Sequence, residues 1–152
     1  MKQETALQIL KSGHNVFLTG EAGSGKTYTL NLFRDYLKKN KIKSSAVALT
    51  ASTGIASSHI GGTTIHSWSL IGIKDTMSLD ELMQLTQRRS KYTEKIKEAK
   101  ILIVDEISML HKKQLELSSQ VISFIRQDSS PWGGLQVILT GDFLQLPPVD
   151  KN

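Results

Sequence analysis

The sequence predicts an α/β fold with a central, mainly parallel sheet, and three observations carry that prediction. Four short apolar runs, at 16–18, 46–49, 101–104 and 136–139, each lead into a polar or glycine-containing segment. Stretches with helical spacing lie between them, among them 79–87, 92–99 and 112–127. Strands alternating with helices are the pattern of a parallel sheet covered on both faces. Third, Gly20-Glu21-Ala22-Gly23-Ser24-Gly25-Lys26-Thr27 fits the phosphate-binding pattern G-x-x-x-x-G-K-[ST], which requires a strand before it and a helix after it.

The first strand, Val16-Phe17-Leu18, runs into Thr19-Gly20. Gly20 and Gly25 let the backbone curl so that successive N–H groups, including those of Ala22, Gly23 and Ser24, face phosphate oxygens. Lys26 is placed to reach the β- and γ-phosphates, and the Thr27 hydroxyl to ligate Mg²⁺. The helix that starts here adds the positive end of its dipole. Leu30, Phe33 and Leu37 form its apolar stripe, and Asn31, Arg34, Asp35 and Lys38 its polar side. Lys38, Lys39, Lys41 and Lys43 read as the solvated end of that helix, where cations suit the dipole.

The second strand leads into Thr50-Ala51-Ser52-Thr53. The third, Ile101-Leu102-Ile103-Val104, is continuously apolar, the mark of a strand buried on both faces. It delivers Asp105 and Glu106 to its carboxyl end, the Walker B position. There Asp105 would hold Mg²⁺ through its water shell, and Glu106 would orient and deprotonate an attacking water. Adjacent carboxylates also cap helices, which is the blander reading of the pair. The fourth strand ends in Thr140-Gly141-Asp142. Ligands of such sheets sit beyond the carboxyl ends of the strands, so all four polar segments should line one site. The chain is thus expected to bind and hydrolyse a nucleoside triphosphate.

A length of 152 residues suits one compact domain over residues 1–152. Without cysteine, a disulfide framework and a cysteine-based metal site are both excluded. No signal peptide or long apolar span is evident, so a soluble, intracellular protein with no membrane partner is expected. The net charge of +5 mildly favours a polyanionic partner. Arg88, Arg89, Lys91, Lys95, Lys97 and Lys100 alternate with Glu94 and Glu98, which favours an ion-paired, solvated helix over a DNA groove.

Two further segments carry a family resemblance. The stretch from Thr50 to Trp68, including Ser52-Thr53-Gly54 and Thr64-Ile65-His66-Ser67-Trp68, resembles motif Ia of the petite-integration-frequency (Pif) helicases and their RecD relatives. Asp105-Glu106-Ile107-Ser108-Met109-Leu110 is similar to their motif II. Gly141-Asp142-Phe143-Leu144-Gln145-Leu146-Pro147-Pro148-Val149 is similar to their motif III, and Gln3-Glu4-Thr5-Ala6-Leu7 sits where they carry an adenine-reading Q motif.

That resemblance implies the first of two RecA-like motor domains of a 5′-to-3′ DNA helicase. It implies a three-layer α/β/α fold, with the motif III strand between the P-loop and Walker B strands. ATP and Mg²⁺ would be the nucleotide and metal, with Gln145 sensing the γ-phosphate and Gln3 bonding the adenine edge. Thr50, Thr53 and Gly54 would grip phosphates of single-stranded DNA, and His66, Ser67 and Trp68 would continue the path toward duplex junctions. The second motor domain and an arginine finger match nothing in these 152 residues. A fragment is therefore expected, binding ATP weakly and unwinding nothing; a self-associating ATPase and a nucleotide-gated DNA-binding module are the alternatives. Gln3 could equally be surface helix, Trp68 could be core, His66 could be a satisfied turn residue, and Trp132 reads as local packing.

Overall fold

The computed structural model describes residues 3–20, 25–88 and 90–142. In chain order the elements are α1 (Gln3–Lys11), β1 (Val16–Thr19), α2 (Lys26–Lys39), β2 (Val47–Ala51), α3 (Gly54–Ile60), β3 (Thr63–Thr64), α4 (Ile65–Trp68), α5 (Leu79–Gln87), α6 (Lys91–Glu98), β4 (Ile101–Asp105), α7 (Lys112–Arg126) and β5 (Gln136–Gly141). The sheet order is β1-β5-β4-β2-β3, and every neighbouring pair is parallel. The motif III strand β5 therefore lies between β1 and β4, as the resemblance implies.

The continuous apolar run of β4 is explained by two cores. Ile101 and Ile103 face a cluster with Ile138, Leu10 of α1, and Leu30, Phe33 and Leu37 of α2. Leu102 and Val104 face the opposite cluster, with Ile65, Leu82, Ile96, and Leu117, Val121, Ile122 and Ile125 of α7. Successive strand residues point to opposite faces, so a strand between two helical layers has no polar side. Each fully buried Leu or Ile contributes about 1.5–3 kcal/mol relative to exposure.

Local chemistry sets the element ends. Ser78 and Glu81 make a reciprocal capping box at the start of α5, as Ser90 and Thr93 do for α6. Arg126, at the end of α7, donates from Nη1 to the carbonyls of Ile96, Lys97 and Ala99, at 2.9, 3.1 and 2.7 Å. Its Nε donates to Gly133 O at 2.8 Å, so one guanidinium ties α6, α7 and the turn before β5 together. Trp132 in that turn packs against the larger core, as its sequence setting suggests. The lysines at 38, 39, 41 and 43 are all exposed.

The segment from Thr53 to Trp68, for which the sequence shows no clear period, is largely helical. Thr53 caps α3 by accepting the Ala56 N–H at 3.1 Å, and Gly61, with φ 74°, closes that helix. Thr64 caps α4 in the same way, accepting from Ser67 N at 3.2 Å. Gly62 lies against β2 so closely that a Cβ there would overlap the Leu49 carbonyl.

Candidate nucleotide site and the adjoining loop

The carboxyl ends of β1, β5, β4 and β2 meet on one edge of the sheet, where Lys26, Asp105 and Glu106 are found. Lys26 opens α2 directly after Gly25, whose φ of 95° is in the left-handed region that favours glycine. The Lys26 ammonium donates to the carbonyls of Gly20, at 2.5 Å, and Gly141, at 3.1 Å, bridging the ends of β1 and β5. Thr27 is exposed beside it. The Gln3 carboxamide lies over Gly25, where a Cβ would collide with it, so the start of α1 borders the loop. Ala22, Gly23, Ser24 and Gln145 lie outside the described residues.

Asp105 ends β4 half-buried, and its Oδ1 accepts a hydrogen bond from the Thr140 hydroxyl of β5. Glu106 follows in a left-handed conformation, φ 57° and ψ 46°, costing about 1–3 kcal/mol for a residue with a side chain. Its carbonyl accepts from Ser52 Oγ at 2.5 Å and from the Met109 N–H at 3.1 Å. A Cβ on Gly141 would come within 2.9 Å of Ile107 Cγ2, so the turn after Glu106 packs directly on the end of β5.

In the adjoining segment Thr50 departs from expectation, while His66 and Trp68 take the satisfied and packed places that the sequence left open for them. Thr50 is corrected from a surface contact to a sheet residue: it is 0% exposed, and its hydroxyl donates to Ile103 O at 2.7 Å inside the sheet. Thr50 is paired with Val104 in the parallel β2–β4 ladder, and its burial leaves its side chain no surface for a ligand. His66 is half-buried with Nε2 bonded to Gln114 Oε1 of α7 at 2.8 Å, so this ring nitrogen already has a partner within the fold. Trp68 packs partly against the larger core and lines a cleft of about 310 Å³ with Leu49, Gly62 and Lys95. Thr53 is half-exposed, and Gly54 and Ser67 are exposed.

Sequence reasoning assigned no role to Ser52 or Thr140, which hold the backbone of Glu106 and the carboxylate of Asp105. The available signal was their place in the two polar segments that follow β2 and β5. A small hydroxyl residue where a strand meets the site is suited to bonding a neighbouring strand's end.

An all-parallel sheet, a lysine opening the helix after the first strand, and a carboxylate pair leaving a buried central strand define a RecA-like α/β domain of the P-loop nucleotide-binding class. The chain belongs to the PIF1-like helicase family, whose model matches residues 2–152. It is 56% identical over 152 residues to the ATP-dependent DNA helicase Pif1 of Psychrobacter sp., covering 100% of this chain and 22% of that protein. The crystal structure of Pif1 helicase from Candida albicans superposes with a TM-score of 0.86 at 37% identity, over 98% of this chain and 33% of the other. Pif1 helicase from Bacteroides, in complex with ADP-AlF3 and ssDNA, gives 0.80 at 33% identity, over 99% and 33%. The chain thus spans 22% of the length of the bacterial relative.

Proposed function

We propose that this chain is the ATP-binding and hydrolysing motor domain of a 5′-to-3′ DNA helicase. One observation carries the reading: Lys26, Asp105 and Glu106 converge on one sheet edge, through bonds that link β1, β5, β4 and β2. Lys26 would exchange the carbonyls of Gly20 and Gly141 for phosphate oxygens, and Glu106 would take the proton of the attacking water. Gln3, against the P-loop at Gly25, would read the adenine, and Gln145 the γ-phosphate.

The donor set suits Mg²⁺. Thr27 and Asp105 offer hard oxygens, and among the described residues no group of three His, Cys, Asp or Glu could hold an ion unaided. Mg²⁺ is usually held in this way, by one or two carboxylates together with substrate phosphates. When bound, it would neutralise charge on the phosphates.

Thr53, Gly54 and Ser67 are the residues proposed to meet single-stranded DNA; they stay at least partly accessible beside the nucleotide edge. The Bacteroides relative bound to ssDNA and a nucleotide analogue supports this pairing of ligands. So does a further Pif1 structure described as DNA unwinding at forked dsDNA, for duplex junctions. A second RecA-like domain in a longer protein would complete the ATP cleft and bring the arginine finger, worth about 10³–10⁵ in rate. The isolated chain would then bind ATP and turn it over slowly. No helix among the described residues is long and apolar enough to cross a membrane.

Titrating this chain with a fluorescent ATP analogue and Mg²⁺ tests the site. Binding weakened at least about tenfold by Lys26→Ala is expected. Equal binding by the variant would place the nucleotide elsewhere.

A further inference from the structure

Ser52 joins the two halves of the proposed motor. It stands at the carboxyl end of β2, 6% exposed, and bonds twice to the end of β4. Its N–H donates to Asp105 O at 3.0 Å, and its hydroxyl to Glu106 O at 2.5 Å. The next residue, Thr53, caps α3 and begins the segment proposed to contact DNA. One peptide unit therefore separates the bond to the hydrolytic backbone from the first of those residues.

Glu106 makes this bond consequential. A residue with a side chain occupies the left-handed region only when its surroundings hold it there. Two donors hold its carbonyl: the Met109 N–H from its own turn, and Ser52 Oγ from another strand. The first moves with the Glu106 turn; the second moves with the β2–α3 junction. Backbone torsions at Glu106 set the direction of its carboxylate, so a shift of Ser52 changes where the proposed base points.

We propose that Ser52 is a positioning residue that transmits occupancy of the Thr53–Gly54 segment by single-stranded DNA to the orientation of Glu106, a coupling that rests on the motor-domain reading above. A strand drawn onto Thr53 and Gly54 would tighten or release the Ser52 hydroxyl's hold on Glu106 O, and hydrolysis would follow. Replacing Ser52 with alanine removes this hydroxyl and leaves Met109 as donor to the Glu106 carbonyl, so the turn keeps a bond.

The test is steady-state ATP turnover of the full-length protein carrying this domain, with and without oligo(dT), for wild type, Ser52→Ala and Ser52→Thr. In Ser52→Ala the stimulation by oligo(dT) should fall about tenfold. Its ATP KM and its oligo(dT) Kd should stay within about twofold of wild type. Ser52→Thr, which keeps a hydroxyl, should retain the stimulation. Full stimulation in Ser52→Ala overturns the coupling, as does equal loss in both variants. A parallel loss of oligo(dT) affinity in Ser52→Ala would also overturn it, because Ser52 would then only shape the DNA segment. A wild type whose turnover ignores oligo(dT) would instead sink the motor-domain reading itself.

Discussion

Replacing Thr50 with valine separates a residue that builds the sheet from one that holds DNA. The Thr50 side chain is fully buried, and its hydroxyl donates to Ile103 O at 2.7 Å across β2 and β4. Valine keeps the shape and suits a strand, so no cavity opens and backbone preference is retained. What is lost is one buried hydrogen bond. Such a bond contributes about 0.5–1.5 kcal/mol net, rising to about 1–3 when the abandoned partner stays unsatisfied. The expected destabilisation is therefore about 1–2 kcal/mol. In a domain of this size 1 kcal/mol lowers Tm by about 2–4 °C, which puts the variant roughly 2–8 °C below wild type. Urea and thermal unfolding followed by tryptophan fluorescence, with oligo(dT) binding by anisotropy on the same samples, give both numbers. DNA affinity should match wild type. A variant as stable as wild type that loses DNA affinity at least about tenfold would refute the inward placement of Thr50.

Three other outcomes follow from the same geometry. Glu106→Gln should bind Mg²⁺–ATP as wild type does and lower turnover by about 10²–10⁴, read by phosphate release; undiminished turnover would remove Glu106 as the base. Arg126→Ala should destabilise the domain by about 2 kcal/mol in urea unfolding, because four carbonyls lose a charged donor, and Arg126→Lys should not restore it because an ammonium lacks the planar fork. The Asp128 carboxyl is held below its ordinary value of 3.8, chiefly by the Ser130 backbone N–H at 2.9 Å. A depressed carboxylate stabilises the fold above its unfolded pKa and ceases to do so as pH falls through the folded value. Stability should thus decline below about pH 3.8, and Asp128→Asn should flatten that part of the profile.

Much of the fold was legible because the apolar runs were long enough to show a period. Four strands and the helices α2, α5, α6 and α7 lie where apolar spacing puts them, with ends shifted by one or two residues. The strand ends extend further than expected because Thr19, Thr50, Ala51, Asp105, Thr140 and Gly141 continue the ladder as polar or small residues. The segment from Thr53 to Trp68 was less readable. β3 is only Thr63–Thr64, too short for alternation, and α3 and α4 are too short for an apolar stripe. Their signals are caps instead: Thr53 and Thr64 at the starts, and Gly61 at the end of α3.

The site divides along a similar line. Lys26, Asp105 and Glu106 stand out in the sequence because their types and spacing are those that phosphate chemistry would demand. Their supports do not: Ser52 bonds the Glu106 backbone and Thr140 the Asp105 carboxylate, each from a neighbouring strand's end. Thr50 illustrates the reverse case. A hydroxyl residue at the end of a strand suggests a surface contact, but Thr50 is buried and spends its hydroxyl on Ile103 O of the neighbouring strand.

On the proposed reading, the nucleotide edge and the Thr53–Gly54 segment work as one device. Its most direct test is ATP turnover by the full-length protein in the presence and absence of single-stranded DNA, with Lys26→Ala as the control. Turnover should depend on Mg²⁺, rise with DNA and disappear in the control. Turnover indifferent to both DNA and Lys26 would contradict that reading.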